Sequence, residues 1–337
     1  MLMVSRKLGT KWFLLLGILV IFFGSLVYGL AKPVKPTTKD IAYVSIKPGM
    51  TADTIGNLLY ERNLIENVFV FRIIAKIHGL DNTLKAGDYS FTRDMSVMQI
   101  VDKLARGEIT QRQITIPEGY TVDQIVLLFK EKQIGDPVKF KELARSFIPY
   151  SYMAANAATV YPVEGYIFPD TYDIGSGATE EEILALMVNE FDKRFNAEMK
   201  QQANQLGLSI RDVVTLASLV EKEARIDSDR PIIAGVFLNR LKNNMPLQSC
   251  ATIQYILGYP KPELTIQDTE IDSAYNTYQH SGLPPGPIAN PGLASIQAVL
   301  NAADTDYLYF VADKKGHHRF SKTYEEHLSA IEQVQKE

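Results

Sequence analysis

The chain has a single cysteine and no concentration of positive charge. Cys250 is alone among 337 residues, so a disulfide within the chain is impossible. The net charge is −4 and the lysines and arginines are scattered, which predicts no nucleic-acid groove. His317 and His318 would point to opposite sides of an extended chain, which makes them a poor chelating pair, and we expect a surface role for them. The sequence therefore predicts no metal site, no cofactor and no nucleic-acid partner.

A long uncharged apolar run near the N terminus predicts a membrane anchor. Residues 12–31, WFLLLGILVIFFGSLVYGLA, are long enough to cross a hydrocarbon core of about 30 Å. Arg6, Lys7 and Lys11 precede the run, so the positive-inside rule places the N terminus in the cytoplasm and the rest of the chain outside. The alternative is a signal peptide cleaved near residues 29–31. Because the apolar run is longer than is usual for a signal peptide, we expect a retained single-pass anchor.

A short linker and a repeated pattern follow the apolar run. Residues 32–41 are rich in Pro, Lys and Thr, as is typical of a linker. Residues 46–58 (IKPGMTADTI, then Leu58) match residues 116–128 (IPEGYTVDQI, then Leu128), and a weaker copy lies at 95–104. Each copy predicts a strand, a turn, a Ser or Thr cap and an amphipathic helix. Residues 42–108 loosely resemble LysM-type carbohydrate-binding modules; alternatively, the repeat is only a common packing unit.

A strong helix signal at residues 209–223, SIRDVVTLASLVEKE, dominates the second half of the chain. Ser209 is a good N-cap, and Asp212 is placed to complete a capping box. At 100° per residue, Glu221 and Glu223 fall on opposite flanks of the apolar face. That face consists of Val213, Leu216, Ala217, Val220 and Ala224.

Two interpretations of the Glu-Lys-Glu end of this helix stay open on pattern alone. A carboxyl group held against apolar surface has a raised pKa and can act as a general acid, which suits cleavage of a glycosidic bond. Alternatively, this is a solvated helix end in which Arg225 pairs with Glu221. Helical geometry does not choose between Glu221 and Glu223.

Other segments carry weaker signals. Aromatic residues beside carboxylates at 164–170 suit sugar recognition, or form an ordinary turn. Residues 282–292 hold four prolines and three glycines, which predicts a rigid loop that is more often functional than not. Asp229 is expected to cap a helix that has Pro231 in its first turn. We also predict a helix at 291–303 and a buried strand at 307–312.

Eight segments in this order resemble the endolytic murein transglycosylases of the MltG (YceG-like) family. They are EGYIFPDTY (164–172), ASLVEKE (217–223), FLNRL (237–241), LQS (247–249), AYNTY (274–278), GLPPGPIA (282–289), NPG (290–292) and YLYFVAD (307–313). The resemblance covers nearly the whole chain.

The resemblance implies a membrane-anchored bacterial enzyme that cuts nascent peptidoglycan strands at the MurNAc–GlcNAc β-1,4 bond and leaves 1,6-anhydro-MurNAc ends. It implies penicillin-binding synthases and the elongation machinery as partners. The family's catalytic glutamate corresponds to Glu223, and Glu221 would tune its pKa by like-charge repulsion. Because the sugar's own 6-hydroxyl attacks C1, one carboxyl group is enough. The expected substrate-binding residues are Glu164, Glu221, Gln248, Ser249, Tyr275 and Asn276.

One segment departs from the family pattern. Relatives often have Leu-Gln-Ser/Thr-Asp-Pro-Thr, whereas residues 247–252 read LQSCAT, so any help from that Asp is absent. Ser249 and Cys250 with His280 also suggest a nucleophilic hydrolase, but no further residue orients the histidine.

We therefore expect an α+β protein with a single N-terminal transmembrane helix, a small LysM-like module and a mixed α/β catalytic domain. A non-catalytic glycan-binding scaffold is the main alternative function, and a hydrolase that leaves reducing ends is a third. The expected segments are a cytoplasmic stub (1–11), the transmembrane helix (12–31), the linker (32–41), the LysM-like module (42–108), an intermediate segment with the second repeat copy (109–160) and the catalytic domain (161–337).

Overall fold

The chain forms two compact units. The structure is a computed structural model that describes residues 39–110, 112–154, 156–175, 178–261 and 263–336, with residues 17, 21, 24–25, 27–35 and 37. Unit 1 comprises Met1–Arg112 and Asp173–Gly177, and unit 2 comprises Gln113–Tyr172 and Ala178–Glu337. Helices and small sheets occur together, which confirms the α+β class. The expected boundaries at residues 108 and 160 stay predictions.

The expected anchor lies largely outside the described residues. Within 12–31, the structure describes residues 17, 21, 24–25 and 27–31, and the expected stub at 1–11 is wholly outside. Among the helices of the described part of the chain, none is long and apolar enough to cross a membrane. The anchor and its orientation stay predictions.

Unit 1 combines a two-stranded antiparallel sheet with three capped helices. The sheet runs in register from Ile41 opposite Thr92 to Ile46 opposite Gly87. The unit buries a continuous apolar core between sheet and helices. Its similarity to a LysM module stays a prediction. The elements are β1 (Ile41–Ile46), α1 (Ala52–Glu61), α2 (Val68–Ile77), β2 (Gly87–Thr92) and α3 (Val97–Arg106).

Unit 2 holds most of the helices. Strand β3 pairs with β4 and strand β5 with β6; the first residue of β3 and the last two of β4 belong to unit 1. The predicted strand at 307–312 is confirmed as β5, but it is half-buried along its length rather than buried. The predicted helix at 291–303 is confirmed as α12. The elements are β3 (Arg112–Thr115), α4 (Val122–Lys132), α5 (Pro137–Ala144), β4 (Thr171–Ile174), α6 (Glu180–Arg194), α7 (Ala197–Gln205), α8 (Ile210–Glu223), α9 (Arg230–Lys242), α10 (Cys250–Leu257), α11 (Ile266–Thr269), α12 (Leu293–Leu300), β5 (Tyr309–Ala312), β6 (His318–Ser321) and α13 (Tyr324–Lys336).

The predicted repeat is confirmed as local structure, but its two main copies have different surroundings. In each copy a strand leads through a glycine with positive φ to a threonine N-cap and a helix. A Cβ atom on Gly49 of the first copy would meet nothing within 4 Å. In the second copy Gly119 donates its N–H to the Asn290 carbonyl at 2.8 Å and accepts from Lys222 Nζ at 3.3 Å. Only the second turn is therefore tied to the C-terminal end of α8.

Helix α8 is the centre of unit 2. The predicted capping box is present, because Ser209 Oγ accepts from Asp212 N and the Asp212 carboxylate accepts from Ser209 N. Helices α7, α9, α10 and α12 all contact it. Every residue from Val213 to Val220 is buried, so the buried surface is wider than the predicted apolar face. The helix ends at Glu223, where the chain becomes extended at Ala224.

Candidate active site

Glu223 faces an open cleft in unit 2. The cleft has a volume of about 530 Å³ and lies between the end of α8, the start of α10 and the β5–β6 and α13 segment. Glu223 is the only carboxyl group among the described residues that line it. The other lining residues include Gln248, Cys250, Gln254, Arg240, Tyr278, Tyr309, His318, Tyr324 and His327.

The nearest partner of the Glu223 carboxylate is Ser249. The Ser249 hydroxyl donates to Glu223 Oε1 at 2.5 Å, and this serine is 2% exposed. Thr277 fixes the segment, because its hydroxyl accepts from Ser249 N at 3.0 Å and its carbonyl accepts from Gln248 N at 3.0 Å. Gln248 has φ of 48°, a left-handed conformation that is costly for a residue with a side chain. The backbone is therefore held in a bend that presents Ser249 to Glu223.

The pKa of Glu223 is raised by burial. Hydrogen bonds from Ser249 and from the Ala251 N–H, together with the charges of His318 and Arg240, offset part of this effect. Ala251 lies in the first turn of α10, where the helix dipole also favours an anion. A carboxyl group with a raised pKa keeps a proton to higher pH, and these donors stabilise it once the proton leaves. The site suits a group that gives up a proton and takes one back.

His318 lines the cleft, and Asp229 lies behind it in contact with its ring and backbone. Asp229 Oδ2 accepts from the His318 backbone N–H at 2.9 Å and lies 3.0 Å from its ring Nδ1. The pKa of Asp229 would be raised by burial, but these contacts lower it overall. Asp229 is the N-cap residue of α9 and Pro231 lies in the first turn, as predicted, but the Asp229 side chain makes no capping hydrogen bond. The predicted surface role of His318 is wrong, since its side chain is 2% exposed.

Glu221 faces away from this cleft, on the other flank of α8. Its Oε2 accepts from Gly292 N at 3.1 Å and from Ser295 Oγ at 2.7 Å. Gly292 is the N-cap residue of α12, so Glu221 satisfies the backbone N–H at the start of that helix. Arg230 lies 3.6 Å away and takes the pairing role that the solvated-end interpretation gave to Arg225.

Glu221 was expected to raise the pKa of Glu223, but in the structure it acts on the pKa of a different glutamate. The main causes that shift the pKa of Glu223 are, in order of size, burial, Ser249, His318, Ala251 and Arg240. Glu221 instead raises the pKa of Glu118, after the larger effect of burial. A role of Glu221 in binding substrate stays a prediction, because its side chain is 8% exposed and engaged with α12.

Glu164 is fully buried inside unit 2 and has no exposed surface. Its carboxylate accepts from Val122 N at 3.1 Å, Asn290 Nδ2 at 3.1 Å and the Tyr255 hydroxyl at 3.3 Å. Burial raises the pKa of Glu164 to about 8, although these three donors lower it. Contact with substrate would need this carboxylate to be uncovered, so that expectation stays a prediction.

Asn290 links Glu164 to the aromatic segment at 164–172. Its side-chain oxygen accepts from Gly165 N and from Ile167 N, each at 2.9 Å. The Pro- and Gly-rich loop at 282–292 therefore fixes the backbone beside Glu164, as expected of a rigid loop.

Two further expected ligands lie apart from Glu223. Asn276 is fully buried, and its amide donates to the carbonyls of Thr269 and Ile271 at 3.0 Å and 2.8 Å. Tyr275 lines a different cavity and packs against the Tyr255 ring at 5.1 Å between centroids. Of the expected substrate ligands, only Gln248 and Ser249 line or touch the Glu223 cleft.

Several cleft residues were missed by the sequence analysis. Tyr309, Tyr324 and His327 form one aromatic group, with ring centroids 5.3–6.4 Å apart. Arg240 lies over the Tyr309 ring at 5.3 Å and donates to the carbonyls of Leu308 and Leu247. The signal that could have found this wall was the cluster of aromatic residues at 307–327.

Cys250 lies in the cleft, with Sγ 3.1 Å from the Tyr278 hydroxyl. Burial of its Sγ raises the pKa of the thiol, which lowers the fraction of the nucleophilic thiolate. His280 is not among the cleft residues. No cluster of three or more metal-ligating side chains occurs within the described residues.

Comparisons with known proteins agree over most of the chain. The sequence profile of the YceG-like family matches residues 44–333. An endolytic murein transglycosylase of Bacillus subtilis (strain 168) is 35% identical over 331 residues, which are 93% of this chain and 91% of that protein. An endolytic murein transglycosylase of Streptococcus pneumoniae serotype 2 is 33% identical, over 88% of this chain and 58% of the pneumococcal protein. A YceG-like protein of Listeria monocytogenes, known from a 2.6 Å crystal structure, is 34% identical with a TM-score of 0.59, over 87% of this chain and 100% of that chain.

Proposed function

Since the chain belongs to the YceG-like family, we propose that it is an endolytic lytic transglycosylase of peptidoglycan. The two relatives named endolytic murein transglycosylase support this activity. We assign the cut to the MurNAc–GlcNAc β-1,4 bond within nascent strands, with 1,6-anhydro-MurNAc ends as the product.

One observation carries the mechanism. Glu223 is the sole carboxyl group among the described lining residues of an aromatic-walled cleft, and it has a hydrogen-bond donor in Ser249. Hydrolases that use an acid together with a nucleophile or base need two carboxyl groups. A cleft with one carboxyl group suits a reaction in which the substrate supplies its own nucleophile.

The proposed reaction uses Glu223 twice. Protonated Glu223 gives its proton to the bridging oxygen as the bond between that oxygen and C1 of MurNAc breaks. The C6 hydroxyl of the same MurNAc then attacks C1, and Glu223 takes its proton. One glycosidic C–O bond is exchanged for the anhydro C–O bond, and no water is consumed. Burial raises the pKa of Glu223, which favours the protonated form needed to donate the proton. The Ser249 hydroxyl stabilises the carboxylate anion between the two steps.

We propose that the cleft walls hold the sugars. Tyr278, Tyr309 and Tyr324 present aromatic rings on which the C–H face of a pyranose can stack. Gln248 provides an amide group for the acetamido substituents. Ser249, whose hydroxyl is engaged with Glu223, stays a predicted ligand. Cys250 lies where relatives often have Asp, so no carboxylate assists Glu223 from that position.

The cellular setting is also proposed. Residues 12–31 would anchor the enzyme in the bacterial cell membrane, with the N terminus in the cytoplasm and the catalytic part outside. Residues 42–108 would bind glycan, supported by the strand, turn and helix order that resembles LysM modules. Penicillin-binding synthases and the elongation machinery would be the partners, by resemblance. Alkaline extraction of membranes tests the anchor, because an integral protein stays in the membrane pellet.

Product analysis tests the activity. Uncrosslinked glycan strands are incubated with the full chain, with Glu223→Gln or with the exposed control Glu198→Gln. The masses of the products are then measured by mass spectrometry. We expect anhydro ends, one water lighter than reducing ends, from the parent and from Glu198→Gln but not from Glu223→Gln. Reducing ends would favour the hydrolase. No cleavage by any of the three proteins would favour the non-catalytic scaffold, and anhydro ends from Glu223→Gln would exclude its assigned role.

A further inference from the structure

Unit 2 has a second cavity beside the Glu223 cleft. It has a volume of about 480 Å³, within the range of small-molecule sites. Four tyrosines contribute to its walls, and Tyr259 is the most open of them at 57% exposed. The tyrosines are Tyr161, Tyr255, Tyr259 and Tyr275.

The two cavities meet at a shared boundary. Lys222, Ala251 and Gln254 line both of them. Ala251 and Gln254 lie on α10, and Lys222 is the residue directly before Glu223. A chain-like ligand that passes Glu223 therefore reaches the second cavity by crossing Lys222 and Gln254.

The second cavity has the chemistry of a sugar site. Its polar lining is mostly neutral and includes Gln254 and Ser273, together with Thr121 and Gln124, which also form the capping box of α4. Among the described lining residues its charged side chains are Asp123 and Lys222, one of each sign. Amide and hydroxyl groups between aromatic rings suit a neutral, hydroxyl-rich ligand with apolar ring faces.

The charge of Asp123 is already balanced within the protein. Lys141 lies 2.7 Å from its carboxylate, and the Tyr161 hydroxyl donates to it at 3.0 Å. Lys222 donates to the Gly119 carbonyl at the boundary between the cavities. An anionic ligand such as a peptide carboxylate would therefore find one partly engaged cation, which favours the sugar backbone over the stem peptide as the occupant.

We propose that this cavity is a second saccharide-binding region, which holds sugars of the same glycan strand away from the bond being cut, with the Tyr259 ring stacked on a pyranose face. The proposal rests on the proposed function, since it takes the ligand of the Glu223 cleft to be a glycan strand. It explains how an enzyme that cuts within strands grips the polymer beyond the scissile bond.

Binding measurements test the role of Tyr259. Affinity for long glycan strands, peptide-free and peptide-bearing, is measured by calorimetry on the full chain carrying Glu223→Gln, alone and combined with Tyr259→Ala, Tyr259→Phe or Val138→Ala. Val138 is 67% exposed and lines neither cavity. We expect Tyr259→Ala to weaken binding by about threefold to tenfold, and the other two to stay within about twofold. An unchanged affinity for Tyr259→Ala, an equal loss for Tyr259→Phe, or a loss confined to peptide-bearing strands would overturn the proposal.

Thiol protection separates the two cavities directly. The sole cysteine, Cys250, reports on the Glu223 cleft, and Tyr259→Cys combined with Cys250→Ser reports on the second cavity. We expect long strands to slow maleimide labelling at both positions in the Glu223→Gln background. Protection of position 250 alone would overturn this proposal and leave the proposed function standing. Protection of neither would contradict glycan binding in the Glu223 cleft, and this proposal with it.

Discussion

The C-terminal end of α8 carries one glutamate on each flank, and the two side chains have different surroundings. On the closed flank, Glu221 accepts from Gly292 N and Ser295 Oγ and lies 3.6 Å from Arg230. On the open flank, Glu223 accepts from Ser249 beside a cleft of about 530 Å³. A carboxylate that accepts hydrogen bonds from other segments of the protein stabilises the folded structure. A carboxylate that borders a cleft is available to a substrate, and the comparison yields the following predictions.

The largest expected effect separates the two glutamates by activity. Glu223→Gln should lower kcat by about 10²- to 10⁴-fold, as for loss of a general acid–base group, and leave thermal unfolding nearly unchanged. Steady-state cleavage of glycan strands and calorimetric unfolding measure the two quantities. A drop of similar size for Glu221→Gln at unchanged stability would break the comparison.

A third glutamate, Glu164, is fully buried, and it should make the free energy of unfolding depend on pH. Its pKa in the folded protein is about 8, raised from 4.5, so the folded state keeps a proton that the unfolded chain releases. The stabilisation is complete below pH 4.5 and is lost as pH rises toward 8, at no more than about 1.4 kcal/mol per pH unit. Urea unfolding across this range should show Glu164→Gln with a flatter profile than the parent. Identical slopes would mean that Glu164 is ionised in the fold.

Glu221→Ala should act on stability first. It leaves Gly292 N and Ser295 Oγ without their acceptor and removes one of the two carboxylates that pair with Arg230. We expect a loss of about 1–3 kcal/mol in the free energy of unfolding. Arg225→Ala is the matched control, since Arg225 lines the cleft and is not the residue paired with Glu221. Equal losses for the two variants would contradict the closed-flank assignment.

Ser249→Ala sharpens the description of the open flank. The Ser249 hydroxyl lowers the pKa of Glu223, so its removal should raise that pKa further. The limb of the pH–rate profile that reports Glu223 should then move to higher pH. Ser249→Thr keeps a hydroxyl and should restore the profile. A limb that stays in place in Ser249→Ala would mean that the hydrogen bond does not act on Glu223.

The smallest effect is expected from His318→Gln. The charge of His318 lowers the pKa of Glu223, but by less than Ser249 does. Asp229, which contacts His318, and Arg240, which also lowers the pKa of Glu223, remain in the variant. The same limb should therefore move to higher pH by a smaller step, while His317→Gln, an exposed neighbour, leaves it in place. A larger shift for His318→Gln than for Ser249→Ala would reverse this order.

The sequence predicted what depends on neighbours along the chain. The Ser209–Asp212 capping box and the opposite flanks of Glu221 and Glu223 follow from helical geometry, and both are confirmed. The glycine turns and threonine caps of the repeat are confirmed for the same reason. Local rules fix the direction of a side chain because they fix the backbone that carries it.

The sequence did not predict what meets those side chains. Ser249 is 26 residues beyond Glu223, and Ser295 is 74 beyond Glu221, so both contacts depend on how distant segments pack. Asp229 shows the limit clearly. Its position before Pro231 predicts a capping side chain, yet its carboxylate instead contacts His318, 89 residues away. A short polar side chain satisfies whichever donor the tertiary structure brings closest, and sequence spacing does not reveal which one that is.

The two glycine turns of the repeat also have a practical consequence for labelling the protein. The turn at Gly49 has nothing within 4 Å of a Cβ atom, whereas the turn at Gly119 is bonded to Asn290 and Lys222. A fluorophore or affinity peptide inserted at the first turn would leave the bonds at the end of α8 intact. The same insertion at the second turn would pull on the residue next to Glu223. The first turn is therefore the place for a reporter, and the second is the place where an inserted segment would switch the enzyme off.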